Sequence, residues 1–179
     1  MSVRDAGEGR YAQVEREQRW AVAELPSEAR PASEILDRYI SGTRLRLRRM
    51  DAGADVVFKL GQKVRKVADD PEIVKSTNIY LSADEYRSFA ALPAAELLKT
   101  RWNLDWRGRV VAIDEFHGRH QGLLLAETEL GVDEDRWPEP PFALSEVTND
   151  DRFSGGALAA ASDLAVNALI QQVRSLNYY

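Results

Sequence analysis

The sequence contains no cysteine and only two histidines among its 179 residues. The lack of cysteine excludes disulfide bonds, thiolate zinc sites and cysteine nucleophiles, and two histidines cannot form a histidine-rich metal site. A metal ion bound here would therefore be a hard cation held by carboxylate oxygens. No apolar run approaches the roughly 20 residues of a membrane-spanning helix. Residues 1–10 lack the apolar segment of a signal peptide. We therefore expect a cytoplasmic protein without a membrane partner, in which residues 1–10 are a disordered lead-in.

Positively charged residues are also fewer than negatively charged ones. Lysine and arginine total 24 against 29 aspartates and glutamates, so the formal net charge is −5. An acidic chain is a poor candidate for binding a nucleic-acid backbone through its global charge, and we expect no nucleic-acid partner. The length suits one domain, which we expect to span residues 11–179.

Apolar residues recur mostly at every second position, which predicts strands. The predicted strands are residues 12–22, 43–50, 54–60, 73–81, 97–104, 109–116 and 123–131, with a short piece near 146–148. A capping box at Ser82–Glu85 predicts one helix, and apolar residues at helical spacing over Gly156–Leu176 predict a second. A helical turn is also expected at Ser33–Asp37.

Like charges alternate along several of these strands. In Arg44–Arg48 three guanidinium groups share one face, and Glu127 and Glu129 share another. For any one strand, a solvated face of an antiparallel sheet explains such a pattern. Acidic and basic positions fall on different strands, however, so a closed barrel could turn all of them inward around a solvated tunnel. Arginine forks on one side would bind phosphate oxygens, and carboxylates on the other would bind Mg²⁺ or Mn²⁺.

An ordered set of motifs carries a family resemblance. These are Glu15-x-Glu17-x-Arg19, the ladder Arg44/Arg46/Arg48 preceded by Tyr39, Lys59, Lys99-x-Arg101, Ile113-Asp114-x-Phe116, Glu127-x-Glu129 and the closing segment Glu146-Val147-Thr148. In this order they resemble the CYTH family, also called the triphosphate tunnel metalloenzymes. The resemblance implies an α+β, mainly antiparallel fold: a closed eight-stranded β-barrel with helices packed outside it.

The resemblance also implies a role for each matched residue. The expected phosphate ligands are Arg44, Arg46, Arg48, Lys59, Lys99 and Arg101, although which two of the three ladder arginines match the family pair is open. The expected ligands of Mg²⁺ or Mn²⁺ are Glu15, Glu17, Asp114, Glu127 and Glu129. Arg19 and Tyr39 are the expected catalytic residues, with a structural role for Tyr39 as the alternative.

Two departures from the family pattern bear on this expectation. The family has lysine where this chain has Arg19, and arginine keeps its proton, so a general-base role there is doubtful. The family usually carries a glutamate on the fourth strand, whereas Lys75–Tyr80 contains no carboxylate. One acidic contact is therefore missing.

The implied activity is metal-dependent hydrolysis of the terminal phosphoanhydride of a triphosphate. The expected substrate is inorganic triphosphate, followed by a nucleoside or thiamine triphosphate. Two alternatives stay open: a class IV adenylyl cyclase, and a module that binds polyphosphate or nucleotide without turnover. The oligomeric state is open as well, a homodimer included.

Overall fold

The computed structural model describes residues 11–64, 73–131 and 133–176. The expected lead-in over residues 1–10 lies outside these ranges. The strands are β1 (Gln13–Val22), β2 (Arg30–Ile40), β3 (Leu45–Ala52), β4 (Asp55–Val64), β5 (Ile73–Leu81), β6 (Ala94–Trp106), β7 (Arg109–Phe116), β8 (Leu124–Leu130) and β9 (Ala143–Glu146). The helices are α1 (Ala83–Ala90), α2 (Gly155–Ala160) and α3 (Asp163–Leu176). No helix among the described residues is long and apolar enough to cross a membrane.

Eight strands close into a barrel. They pair in the order β5-β4-β3-β2-β6-β7-β8-β1, and β5 pairs back onto β1 to complete the ring. The neighbours are antiparallel throughout. The ninth strand, β9, pairs with β1 over Trp20–Val22, beyond the stretch that β5 covers. The expected closed eight-stranded barrel, mainly antiparallel and with helices outside its wall, is confirmed.

Local sequence explains the tight connections. Arg107 and Gly108 link β6 to β7 with φ values of 55° and 77°, which is the backbone of a two-residue type I′ hairpin. Gly53, at φ 65°, serves the turn between β3 and β4. The capping box predicted at Ser82 is present, since its hydroxyl accepts from the Glu85 backbone N–H while the Glu85 carboxylate accepts from the Ser82 N–H.

Two expectations about local structure are wrong. The segment Ser33–Asp37 is not a helical turn but the middle of β2, where pairing with both β3 and β6 satisfies its backbone groups. The expected continuous C-terminal helix is two helices, because Ala161 is extended and Ser162 caps the start of α3. Both errors come from local patterns that tertiary pairing and capping override.

Apolar side chains form two layers. One lies on the outer wall, where Trp20, Val111 and Ile113 pack with Phe142 and their neighbours under the segment that leads to β9. The other lies at one end of the barrel, where inward-facing Leu97 and its neighbours pack against α2 and α3. The helices α2 and α3 therefore close one end of the barrel, while α1 packs against the outside of β3, β4 and β5.

Candidate functional site

A cavity of about 970 Å³ occupies the barrel interior, and all eight barrel strands contribute to its walls. Its lining includes twelve of the thirteen side chains expected from the sequence, namely Glu15, Glu17, Arg19, Tyr39, Arg44, Arg46, Arg48, Lys59, Lys99, Arg101, Glu127 and Glu129. The remaining one, Asp114, is on the inward face of β7 opposite Arg101, but it is buried beneath Lys99 and Arg101 and does not line the cavity. The charged alternates of the strands thus face one shared space, as the barrel hypothesis required.

Four further charged residues line the cavity that the motif comparison did not select: Asp37, Lys63, Arg109 and Asp151. The basic run at positions 63–66 by itself indicates a solvated loop, but its first residue, Lys63, belongs to a strand. It lies on β4 and faces the same way as Lys59, four positions earlier, and the alternation of that strand could have revealed it. Arg65 and Lys66 lie outside the described residues.

On the basic side, the buried carboxylate of Asp37 positions two arginines. Its oxygens accept from Arg48 Nε at 2.6 Å and Nη2 at 2.7 Å, and Arg46 Nε lies 3.6 Å away. Burial alone would raise the pKa of Asp37, but the Arg48 charge and hydrogen bonds, with Arg46, hold it well below its usual range. The carboxylate is therefore ionised and fixes the direction of the Arg48 fork.

Asp114 on β7 positions cations of the adjacent strand β6, as Asp37 on β2 positions arginines of β3. It accepts from Arg101 Nε at 2.7 Å and Nη2 at 2.8 Å, and it also pairs with Lys99. Burial would raise the pKa of Asp114, yet the Lys99 charge and the Arg101 hydrogen bonds together lower it. Both of its oxygens face cations, an arrangement that favours positioning of Lys99 and Arg101 over direct contact with a metal.

Two of the cations are left over for an anion. Among the described residues, neither Arg44 nor Lys59 makes an ion pair, and Lys59 Nζ lies 4.9 Å from the centre of the Tyr80 ring. Nine cations line the cavity, against six carboxylates in the lining and Asp114 buried beneath two of the cations. The formal balance is +2 in a chain whose net charge is −5. The interior therefore attracts anions although the whole protein is acidic.

The acidic side is built on β1 and β8. Arg19 Nη2 lies 2.8 Å from Glu127 Oε1 and 3.3 Å from Glu17 Oε2, so one nitrogen joins the two carboxylates. Lys63 Nζ lies 2.6 Å from Glu17 and 2.9 Å from Glu15, and the Ser76 hydroxyl donates to Glu15 at 2.5 Å. These three carboxylates form the acidic wall: Glu15, Glu17 and Glu127.

Glu17 and Glu127 both contact Arg19 Nη2, and their pKa values shift in opposite directions. Burial and the charge of Glu127 raise the pKa of Glu17 to about 7, whereas Arg19 outweighs burial and keeps the pKa of Glu127 well below its usual range. Two neighbouring carboxylates, one of them with a raised pKa, are a suitable site for a divalent cation, whose charge would offset their mutual repulsion.

We tested this acidic wall against the needs of Mg²⁺ or Mn²⁺. Among the described residues, no three carboxylates or imidazoles form a ready-made metal site. Mg²⁺, however, commonly binds through one or two carboxylates and completes its shell with water and substrate phosphates. The Glu17–Glu127 pair meets that requirement, since it opens onto a cavity lined on its other side by arginine and lysine side chains.

Tyr39 and Arg19, the two expected catalytic residues, cannot act as bases at neutral pH. Burial and the Asp37 charge raise the pKa of Tyr39 to about 12. Burial opposes the charge of Arg19, but Glu127 and Glu17 outweigh it and raise its pKa. A β-carbon at Gly155 would collide with the Tyr39 hydroxyl, so glycine there lets α2 approach the tyrosine. Both side chains can donate hydrogen bonds into the cavity.

The stretch Lys75–Tyr80, where the family's extra glutamate is missing, lies on β5, which pairs with β4. A β-carbon at Gly61 would lie 2.7 Å from Asn78 Oδ1, so the amide fills the space beside this glycine. Asn78 also donates to the Ser76 hydroxyl at 3.1 Å. Neutral side chains thus line the cavity where the family pattern has a carboxylate.

Solved structures show the same fold. The crystal structure of the inorganic triphosphatase NE1496 aligns with a TM-score of 0.56 and 22% identity, covering 83% of this chain and 95% of that one. A second structure, of the hypothetical protein NE1496, gives 0.56 and 22% over 82% and 98%. The PH1819 protein from Pyrococcus horikoshii OT3 aligns with a TM-score of 0.49 and 16% identity over 90% of this chain and 89% of that one. No family model matches the chain, and no curated protein matches it significantly. The two alignments with TM-scores of 0.56 confirm the tunnel-barrel fold implied by the motif resemblance.

Proposed function

We propose that this protein hydrolyses the terminal phosphoanhydride bond of a triphosphate, with inorganic triphosphate as its substrate. The observation that carries the proposal is the cavity itself, in which cations from several strands face an acidic pair across one shared space. The similarity in fold to an inorganic triphosphatase supports the same reading.

The cavity can bind a chain of phosphates at several points. Arg48 and Arg101 are held by buried carboxylates, so their forks are oriented before the substrate arrives. Arg44 and Lys59 can then pair with further oxygens. A triphosphate offers these cations more oxygens and more negative charge than a single phosphate does, so we expect binding to increase with the number of phosphates.

Catalysis would rest on positioning and charge. The transition state of phosphoryl transfer is loose, and it is stabilised chiefly by fixed cations and by placing the attacking water in line. Arg19 stays protonated and adjoins the acidic pair, so it can place positive charge on the terminal phosphate. Mg²⁺ or Mn²⁺ held by Glu17 and Glu127 would, when bound, neutralise phosphate charge and orient the phosphoryl group.

A substrate panel tests the proposal. Inorganic triphosphate, ATP and thiamine triphosphate are each assayed for phosphate, pyrophosphate and cyclic AMP, with Mg²⁺, with Mn²⁺ and with chelator. We expect phosphate and pyrophosphate from inorganic triphosphate only when a metal is present. Cyclic AMP with pyrophosphate from ATP would identify a cyclase instead, and tight binding without product would identify a binding module.

A pair of variants links the activity to the cavity. Glu127→Gln removes one charge of the acidic pair without changing its shape, and we expect a loss of at least about a hundredfold in kcat. Glu24→Gln, at an exposed position outside the cavity, is the matched control and should match the wild type. Equal activity of the two variants would contradict the assignment of the site.

A further inference from the structure

Lys63 places an ammonium group inside the acidic wall. It is the last inward position of β4, and its register partner on β5 is Ser76. Ser76 in turn pairs with β1, the strand that carries Glu15 and Glu17. Closure of the barrel by β5 and β1 therefore brings Nζ within 2.6 Å of Glu17 and 2.9 Å of Glu15.

The Lys63 ammonium pairs with Glu17, a carboxylate that a bound metal would need as a ligand. Glu17 is one half of the pair suited to a divalent cation, and one of its oxygens already accepts from Lys63. Lys63 and Arg19 together bring two positive charges to the three carboxylates, so the acidic wall is close to neutral in the empty cavity. A metal entering alone would have to displace Lys63 and leave its charge without a partner.

Lys63 is better suited to give way than Arg19 is. The Arg19 guanidinium contacts Glu127 at 2.8 Å, Glu17 at 3.3 Å and the Phe153 carbonyl at 3.4 Å, which fixes it from three sides. The Lys63 side chain is 37% exposed, against 13% for Arg19, and its flexible stem ends in a single rotatable ammonium. It can turn from the carboxylates towards the cavity.

We propose that Lys63 couples metal binding to triphosphate binding: it competes with the metal for Glu17 in the empty cavity, and releases Glu17 when triphosphate oxygens pair with its ammonium. This inference rests on the proposed metal-dependent triphosphatase function. Its consequence is reciprocal, since a triphosphate that raises the affinity for metal must have its own affinity raised by the metal to the same extent. The device disfavours a metal bound without substrate.

The test measures metal binding and not turnover. Mn²⁺ is titrated into the purified chain, with free Mn²⁺ followed by electron paramagnetic resonance, with and without a methylene-bridged triphosphate that cannot be hydrolysed. Lys63→Met keeps the length of the side chain and removes its charge. We expect this variant to bind Mn²⁺ at least about tenfold more tightly in the empty cavity, and the enhancement by the analogue to fall by a similar factor.

Two further variants separate charge from shape. Lys63→Arg keeps the charge and should keep most of the coupling of the wild type. Lys75→Met changes a lysine on the outward face of the neighbouring strand β5 and should bind Mn²⁺ as the wild type does. Thermal unfolding of each variant checks that it is folded, and Lys63→Gln replaces the methionine variant if that one is not.

The outcomes distinguish this inference from the function on which it rests. The coupling is overturned if folded Lys63→Met binds Mn²⁺ with the affinity of the wild type, or if the analogue does not change the Mn²⁺ affinity of the wild type. If the same preparation still hydrolyses triphosphate, the proposed function stands without the coupling. If Mn²⁺ binds neither the empty nor the analogue-bound wild type, the coupling fails together with the metal dependence of the proposed function.

Discussion

Replacement of Asp114 by asparagine tests whether this carboxylate supports the cavity wall. The side chain is 5% exposed and accepts from Arg101 at 2.7 and 2.8 Å while also pairing with Lys99. Asparagine keeps the shape but leaves two buried cations without their counter-charge. Breaking a buried ion pair from one side costs about 3–5 kcal/mol. Because the amide keeps part of the hydrogen bonding, we expect the lower end of that range, about 3 kcal/mol.

The assay is urea unfolding and thermal unfolding of Asp114→Asn and of the wild type in the absence of ligands. In a domain of this size about 3 kcal/mol corresponds to a lower Tm by roughly 6–12 °C. The pKa of Asp114 is lowered from its ordinary value of 3.8, so its stabilisation is present above that value and is lost as the pH falls through the lower folded-state pKa. The difference between the two proteins should therefore shrink in acid.

Triphosphate supplies a second readout. Its oxygens can pair with Lys99 and Arg101 and replace part of the missing charge, so saturating triphosphate should narrow the difference in Tm between variant and wild type. Asp55→Asn, at an exposed position, is the control and should unfold with the wild type. If Asp114→Asn were as stable as the wild type but lost Mn²⁺ binding, Asp114 would be a metal ligand and the reasoning would be refuted.

Further predictions concern Arg19, ligand binding and pH. Arg19→Lys should change kcat by less than about tenfold, and Arg19→Ala should lower it by much more, because the residue supplies charge and does not act as a base. A large gain in the kcat of Arg19→Lys, with a new basic limb in the pH–rate profile, would contradict this. Triphosphate with Mg²⁺ at a hundredfold excess over Kd should add about 2.7 kcal/mol of stability, or roughly 5–10 °C in Tm, and phosphate much less; equal shifts in differential scanning calorimetry would count against a cavity shaped for a phosphate chain. Glu17 has a raised folded-state pKa of about 7, so its stabilisation is present below the ordinary value of 4.5 and is lost as the pH rises through 7. In chelator, the free energy of unfolding of the wild type should fall between pH 5 and 8 more steeply than that of Glu17→Gln. If urea unfolding shows that the two free energies depend on pH in the same way, the pKa of Glu17 is not raised.

The inward face of the barrel could be predicted because alternation is a local property. In Arg44–Arg48 every second residue is an arginine, and those arginines line the cavity. Side chains along a strand point to the same face at every second residue, so one correctly placed residue assigns a face to all the others. The same rule applied to β4 would have placed Lys63 beside Lys59.

Partners across the barrel could not be predicted in this way. Lys63 meets Glu17 only because β5 pairs with β1, a contact between distant parts of the chain. Asp37 lies in the segment expected to be a helical turn, so the sequence did not predict its ion pair with Arg48 on the neighbouring strand. Asp114 was placed on the correct face, but whether it faces a metal or two cations depends on its neighbours, which alternation does not specify.

Hydrolysis of inorganic triphosphate in water enriched in ¹⁸O, followed by phosphorus-31 NMR and mass spectrometry, tests the central claim most directly. The account predicts metal-dependent conversion to equal amounts of orthophosphate and pyrophosphate, with the label entering orthophosphate alone, because water attacks the terminal phosphorus. Triphosphate that binds the cavity but stays intact, or label that enters pyrophosphate, would contradict it.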